Sequence, residues 1–152
     1  MKFILYLSIC LSLVVYWFAS IGNPKLEKLG SGYMNIFSTC VVSHPYIINR
    51  TSLGFAHSYR IRSEHAETIR PLFRNIDGES ITLHNADKRT ILHQLSNHQK
   101  ISTSRIGTLQ VTSLYSNRTS SFVRDGNNRI NLQVSYRNGT VTIGWPVILG
   151  SF

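Results

Sequence analysis

Acidic residues are scarce in this 152-residue chain, in which seven Asp and Glu stand against 16 Lys and Arg. Charged residues make up only 15% of the sequence and hydrophobic residues 42%, a balance that excludes an intrinsically disordered chain. The few carboxylates are scattered, so no pair with a spacing typical of acid/base catalysis can be identified. The composition therefore predicts a folded, basic protein.

Cysteine is also rare: there are two, and only Cys40 lies outside the apolar N-terminal stretch. A disulfide within the remaining domain is therefore excluded, and the domain must be stabilised by its core. Residues 37–42 are mostly apolar, so we interpret Cys40 as a small buried residue rather than as a reactive thiol.

Signatures of common active sites are missing. The six histidines include no pair four residues apart, and no C-x-x-C, H-E-x-x-H or G-x-S-x-G motif occurs. No glycine-rich loop has the spacing of a phosphate-binding loop. We therefore predict no catalytic residue, no cofactor and no metal site. The alternative is a small cell-envelope hydrolase or transferase that uses a histidine and a carboxylate brought together by the fold.

The longest hydrophobic run covers residues 3–21, which carry no charge, and it ends at Gly22-Asn23-Pro24. At about 1.5 Å per residue, a helix of this length spans roughly 28 Å, close to the thickness of the bilayer's hydrocarbon core. We therefore predict that residues 1–22 are a signal-anchor that enters the membrane through residues 3–21. A cleaved signal peptide is the alternative, with Ser20-Ile21-Gly22 as its cleavage site.

Flanking charges do not fix the orientation of this segment, because Lys2 lies on one side and Lys25 and Lys28 lie on the other. A short basic N-terminus before one apolar segment is the usual arrangement in exported proteins. We therefore predict a single-pass protein of the cell membrane with an extracytoplasmic C-terminal domain, or a secreted domain if the segment is cleaved. Nucleic acid is an expected partner only if the topology is inverted.

Residues 23–33 mix Pro, Gly and charged residues, and we predict that they form a tether between membrane and domain. Order should begin near Met34, and residues 34–152 have the length of a single domain.

Patterns of β-branched and aromatic residues alternate with helical patterns in this domain. Strands are predicted at 36–48, 53–62, 79–84, 106–115, 121–124, 129–137 and 140–149, with a turn at 49–52. Helices are predicted after Ser63, which can cap a segment ending at Phe73, and over 86–96, capped by Asn85. Together they predict an α+β fold: a twisted antiparallel sheet covered on one face by two helices and preceded by the membrane segment.

Asn138-Gly139 is the clearest turn signal, because both central residues of a type I′ turn need positive φ. A two-residue loop there predicts that six apolar residues share the core face, in the pairs Tyr136–Val141, Val134–Ile143 and Leu132–Trp145. The alternate residues should face solvent: Asn131, Gln133, Ser135, Arg137, Thr140 and Thr142. Pro146 indicates that the last strand lies at a sheet edge, since proline cannot donate a ladder hydrogen bond.

Four stretches resemble short members of the YwmB-like family, which are exported proteins of spore-forming Gram-positive bacteria: residues 78–82 (GESIT), 115–116 (YS), 130–134 (INLQV) and 143–152 (IGWPVILGSF). The likeness covers residues 50–152 and consists of turns and a strand pair. It implies a fold similar to that of the TATA-box-binding protein, a curved antiparallel sheet with helices on its convex side, and a link to sporulation or the envelope. It carries over no catalytic residue, and a shared fold does not make the chain a DNA-binding protein.

Arginine supplies most of the positive charge. The formal net charge of +9 becomes +8 without Lys2, and 11 arginines follow the apolar segment. The planar guanidinium forms paired hydrogen bonds to phosphate or carboxylate, which lysine does not. Six arginines share strand sides or lie at strand ends: Arg60, Arg62, Arg105, Arg124, Arg129 and Arg137.

These six arginines are the predicted polyanion-binding residues, and the predicted partners are an anionic wall polymer, a lipid headgroup or a protein. The alternative is a solvated basic surface. The sequence thus predicts a membrane-tethered, extracytoplasmic binding or assembly module without catalysis.

Overall fold

The structure, a computed structural model, describes residues 22–119 and 121–148. The predicted membrane segment, residues 3–21, lies outside the described residues. Among those that are described, no helix combines the length and the apolar character needed to cross a membrane.

Strands dominate the described part of the chain. They are β1 (Tyr33–Ser38), β2 (Asn49–Leu53), β3 (Ala56–Arg62), β4 (Gly78–His84), β5 (Gln99–Ile106), β6 (Leu109–Tyr115), β7 (Val123–Asp125), β8 (Asn128–Ile130), β9 (Leu132–Arg137) and β10 (Thr140–Trp145). The α-helices are α1 (Ala66–Ile69) and α2 (Lys88–Gln94), and 3₁₀ segments cover Leu26–Leu29, Ser63–His65 and Arg70–Leu72. A mostly antiparallel sheet with two short helices agrees with the predicted α+β class.

Eight strands form one antiparallel sheet in the order β2-β3-β1-β4-β10-β9-β6-β5, while β7 and β8 form a separate ribbon. The predicted edge position of the last strand is wrong, because β10 lies between β4 and β9. Pro146 follows Trp145, the final residue of β10, so its missing N–H removes no hydrogen bond from the ladder.

One face of this sheet, which we call the helix face, carries the core. Strand residues such as Ile36, Ile81 and Val134 belong to the same buried cluster as Ile69 of α1 and Ile91 of α2. Burying such side chains is worth about 1.5–3 kcal/mol each, so this cluster is the main source of stability. Alternate residues of each strand point to the opposite side, which we call the outer face.

The β9–β10 hairpin has the predicted register. Tyr136 is aligned with Val141 and Val134 with Ile143, and the turn residues Asn138 and Gly139 have φ values of 49° and 77°. The predicted pair Leu132–Trp145 is not formed, because the ladder ends where Gln133 meets Gly144. The predicted solvent positions are also only partly correct, since Asn131 and Ser135 are buried.

Residues 23–33 do not form the predicted tether, because most of them are attached to the domain. Leu26 is fully buried in the core cluster, and Glu27 forms an ion pair with Arg70. A Cβ on Gly32 would overlap the carbonyl oxygen of Thr82 in β4. Two leucines in so short a stretch of charged residues, Pro and Gly are too few for a periodic signal, so the sequence does not reveal this packing.

Both edge strands differ from prediction. The predicted strand 36–48 ends at Ser38, and the predicted turn 49–52 belongs to β2, which turns into β3 at Gly54-Phe55. β5 lies at the other edge and was not predicted, since the predicted strand 106–115 corresponds to β6. β2 is exposed throughout and β5 nearly so, and without a buried face neither strand shows alternation.

The predicted caps are wrong in both helical regions. Asp87, not Asn85, caps α2 by accepting hydrogen bonds from the backbone N–H groups of Arg89 and Thr90. Asn85 has a left-handed φ of 54° instead. Ser63 caps no helix; its Oγ accepts a hydrogen bond from Gly32 N at 3.1 Å.

Candidate functional site

The structure divides the six predicted arginines into three groups. Arg60, Arg62 and Arg137 have outer-face positions, since they alternate with the core residues of β3 and β9. Arg105 is aligned with Gln110, on the side of the helix face. Arg124 and Arg129 are aligned with each other in the β7–β8 ribbon. The six therefore do not share one face.

Outer-face residues of five neighbouring strands connect Arg62 with Arg137. The register aligns Arg62 with Tyr33, Thr82, Thr142 and Ser135, and the next row contains His84, Thr140 and Arg137. Because adjacent strands lie about 4.8 Å apart, β3 and β9 are separated by about 19 Å.

Two adjoining depressions lie along these rows. One has a volume of about 240 Å³ and is lined by Tyr33, Arg62 and His84 among others. The second has about 290 Å³ and is lined by Arg137 and Thr140 among others. His84 Nδ1 lies 3.4 Å from Thr140 Oγ1, so the two depressions meet there. We call the combined feature the outer groove.

Hydroxyl groups lie along the outer-face row between Arg62 and the strand of Arg137. Thr82 Oγ1 and Thr142 Oγ1 lie 3.3 Å apart, and Ser135 Oγ donates to the carbonyl oxygen of Thr142 at 3.4 Å. Hydroxyls both donate and accept hydrogen bonds, so this row can bind the oxygens of a polar ligand.

The outer groove has an electropositive character. Glu79 is the only acidic residue in the eight-stranded sheet, and it is buried on the helix face. Within the described residues, no carboxylate lies within 4.0 Å of a nitrogen of Arg60, Arg62 or Arg137. Glu64 lines one end, but its side chain is 63% exposed and contacts His65 instead.

Tyr33 orders the arginines at one end of the groove. The guanidinium carbon of Arg60 lies 4.5 Å from the centre of the Tyr33 ring, and that of Arg62 lies 5.9 Å from it. Cation–π attraction at an exposed position is worth about 0.5–1 kcal/mol and reduces the freedom of the side chain. The role of Tyr33 could not be read from the sequence, because Tyr33 lies in the stretch 23–33 that was predicted to be a tether.

A second charged cluster lies on the helix face. Arg70 forms ion pairs with Glu79 and Glu27, and the Glu79 side chain is fully buried. Burial would lower the pKa of Arg70, but the hydrogen bonds to Glu79 and Glu27 raise it above its usual value. Arg70 therefore stays charged and joins three segments of the chain, which is a structural role.

The contacts of the histidines do not favour the hydrolase or transferase hypothesis. His65 Nε2 lies 3.6 Å from Glu64 Oε1, but its ring is stacked on Tyr46 at 3.9 Å. His84 and Glu64 line one depression, and no hydrogen bond between them is found in the described chain. Among residues 22–119 and 121–148, no cluster of three or more His, Cys, Asp and Glu could hold a metal ion.

Cys40 is only partly buried, which corrects its interpretation as a core residue. Its thiol donates to Asn75 Oδ1 at 3.1 Å. Hydrogen bonding at Asn75 and Ser38 lowers the pKa of Cys40 below its usual value.

Comparisons of the chain with protein-family models, curated proteins and solved structures give no match. The function is therefore inferred from the geometry of the outer groove and from the sequence.

Proposed function

We propose that the protein is a membrane-tethered, extracytoplasmic binding module without catalysis, and that its outer groove binds an anionic wall polymer with phosphodiester links. The observation that carries this proposal is the pair Arg62 and Arg137, which mark the two ends of a groove lined by hydroxyls. Because the strands that carry the two arginines lie about 19 Å apart, an extended chain suits the groove better than one small anion does.

The chemistry of the groove supports phosphate as the recognised group. Guanidinium groups form paired hydrogen bonds to phosphate oxygens, and neighbouring hydroxyls can contact the sugar or glycerol units between phosphates. Since no carboxylate of the described residues pairs with Arg62 or Arg137, both guanidinium groups are available to a ligand.

The location of the groove supports a wall polymer rather than a lipid headgroup. Gly22 N donates to the carbonyl oxygen of Arg118, just beyond Tyr115 at the end of β6. The depression of the groove that contains Arg137 is lined by Leu109, at the other end of β6. Seven residues of strand span about 20 Å, so a membrane segment preceding Gly22 leaves the groove on the far side from the bilayer.

Membrane insertion and export are parts of this proposal that the sequence of residues 3–21 supports. Fusions of alkaline phosphatase and of green fluorescent protein to the C-terminus test them. We expect phosphatase activity and a full-length product. Fluorescence of the second fusion would instead put the groove in the cytoplasm and overturn the extracytoplasmic location. Membership of the YwmB-like family, with its sporulation link, remains a prediction from the motifs.

Binding is tested with the full-length chain in nanodiscs of phosphatidylcholine, titrated with soluble polyglycerol phosphate at several salt concentrations. We expect Arg62→Gln and Arg137→Gln each to weaken binding about tenfold. Each should also reduce the slope of log K against log salt by about one.

Arg105→Gln and Arg129→Gln are matched controls, since they remove the same charge from surfaces outside the groove. Equal losses of affinity for polyglycerol phosphate in all four variants would show that binding depends on net charge alone. The groove would then not be the binding site. Tighter binding of polyglutamate than of polyglycerol phosphate would overturn the assignment to phosphate.

A further inference from the structure

A basic cleft lies at the point where the described chain begins. It has a volume of about 400 Å³ and is lined by residues 22–25, by Asn97 and His98, and by Ser116, Arg118 and Thr119. None of these lining residues is acidic. Neither the outer groove nor the core uses this cleft, which we call the Arg118 cleft.

The wall of the Arg118 cleft is fixed by hydrogen bonds between backbone groups and from backbone groups to the side chains of Ser116 and Asn131. Arg118 N donates to Ser116 Oγ at 3.2 Å, and Gly22 N donates to the carbonyl oxygen of Arg118 at 3.2 Å. The buried Asn131 side chain holds Ser116, accepting from its N–H at 2.9 Å and donating to its carbonyl oxygen at 2.6 Å. The loop that carries Arg118 is thus attached to the core, so the cleft is preformed.

Two cations can reach a ligand in this cleft. Within the described residues, no carboxylate lies within 4.0 Å of the Arg118 guanidinium. Lys25 Nζ lies 3.5 Å from Glu67 Oε1, but both side chains are more than half exposed. Exposed pairs of this kind contribute little, so an anion can compete with Glu67 for Lys25.

Polar groups beside these cations complete the site. His98 Nδ1 is buried and has no hydrogen-bond partner in the described chain. Burial lowers the pKa of His98 below its usual value, although the carbonyl of Leu95 opposes this, and the shift favours the neutral imidazole. A neutral imidazole and the hydroxyls of Ser116 and Thr119 suit a ligand with hydroxyl groups.

We propose that the Arg118 cleft binds the phosphate ester headgroup of an anionic glycerophospholipid, with Arg118 and Lys25 on the phosphate and Ser116, Thr119 and His98 on the glycerol. The choice of a lipid rests on the proposed membrane tether, which places the cleft next to the bilayer. The outer groove lies at the opposite end of β6, so the two sites serve different ligands.

The test uses the full-length chain in a neutral detergent, titrated with short-chain phosphatidylglycerol, glycerol 3-phosphate and short-chain phosphatidylcholine. Backbone amide shifts of Gly22, His98 and Arg118 report binding at the cleft. We expect the shifts to saturate with phosphatidylglycerol, more weakly with glycerol 3-phosphate, and not with phosphatidylcholine. Equal affinity for glycerol 3-phosphate would overturn the assignment to a lipid and leave a site for soluble phosphate esters.

Variants that remove a positive charge and a variant that removes a negative charge should have opposite effects, which makes this test specific. Arg118→Gln and Lys25→Gln should each weaken phosphatidylglycerol binding about tenfold, while Glu67→Gln should tighten it because the competing carboxylate is gone. Arg89→Gln, on the exposed side of α2, is the charge-matched control and should change nothing. If Arg118→Gln binds phosphatidylglycerol as tightly as wild type, or if the amide shifts appear at His84 and Thr140 instead, the cleft is not the binding site.

Failure of this inference is distinguishable from failure of the proposed function. Arg137→Gln should weaken polyglycerol phosphate binding at the groove and leave phosphatidylglycerol binding at the cleft unchanged. If Arg118→Gln weakens both ligands equally, there is one diffuse basic surface and the separate cleft is overturned.

Discussion

Arg70 donates two hydrogen bonds to the buried carboxylate of Glu79, from Nε to Oε1 at 2.7 Å and from Nη2 to Oε2 at 3.0 Å. The same guanidinium donates to both oxygens of Glu27, at 3.1 and 2.8 Å. One side chain thus connects the N-terminal 3₁₀ segment, the region after α1 and strand β4. Together with the burial of Leu26, this contact attaches residues 23–33 to the domain.

Arg70→Met should lower the free energy of unfolding by about 3–5 kcal/mol, because it leaves the Glu79 carboxylate buried without a partner. Urea denaturation of the full-length chain in neutral detergent, followed by circular dichroism, measures this loss. Arg74→Met is the control, since Arg74 is exposed, and it should change stability by less than about 0.5 kcal/mol. A loss as small for Arg70→Met as for Arg74→Met would contradict the prediction.

Stability should fall in acid through Glu27. Burial would raise the pKa of Glu27, but the hydrogen bonds and charge of Arg70 outweigh it and hold the pKa below its usual 4.5. Because the folded-state pKa is the lower one, the stabilisation is complete above the unfolded-state pKa. It is lost as the pH falls from there through the folded-state pKa.

Urea midpoints measured from about pH 6 down to about pH 3 check this dependence. Glu27→Gln should be less stable than wild type at neutral pH, and it should lose less stability on acidification. Parallel curves for the two proteins would show that Glu27 is not the responsible group.

The β9–β10 hairpin could be predicted because its signals are local. Apolar residues alternate through Val134 and Ile143, and Asn138-Gly139 has the only turn type that fits two residues with positive φ. Asn131 does not follow the alternation of apolar and polar residues. Alternation assigns it to solvent, but its amide is buried because it pairs with the backbone of Ser116.

The outer groove could not be predicted, because its two ends come together only through long-range strand order. Tyr33 meets Arg62 because β1 is inserted between β3 and β4, and His84 meets Thr140 because β10 lies beside β4. The alternation of side chains along a strand correctly predicted that Arg60 and Arg62 lie on the same side of the sheet. It could not show that Arg129 belongs to a different sheet from Arg137.

Asn131→Ala should destabilise the fold by about 2–4 kcal/mol, because the Ser116 N–H loses its acceptor and the Ser116 carbonyl keeps only the longer hydrogen bond from Thr119 N, at 3.4 Å. Hydrogen exchange of the Ser116 amide should become faster in proportion to this loss of stability. Asn128→Ala, at an exposed position in β8, is the matched control and should be close to neutral. Unchanged protection of the Ser116 amide would contradict the assigned role.

Gly144→Ala should be destabilising by about 1–3 kcal/mol because of crowding rather than backbone strain. A Cβ on Gly144 would lie 2.5 Å from Ile148 Cα and 2.6 Å from Ile148 N, where residues 146–148 cross the outer face. The Ile148 amide, which donates to Gln133 Oε1 at 3.2 Å, should lose protection from hydrogen exchange. Gly22→Ala, whose new Cβ would have no atom of the described residues within 4 Å, should leave stability unchanged, and equal effects would contradict the proposed crowding.

Tyr33→Leu should weaken binding of polyglycerol phosphate about threefold, because Arg60 and Arg62 lose the ring that restricts their guanidinium groups. Tyr33→Phe keeps the ring face and should bind like wild type. The comparison separates preorganisation from hydrogen bonding by the Tyr33 hydroxyl, since a loss in both variants would assign the effect to the hydroxyl. Calorimetric titration should show the loss in Tyr33→Leu without a change in salt slope, because the number of cations that contact the polymer stays the same. A reduced slope would mean that an arginine no longer reaches the ligand at all.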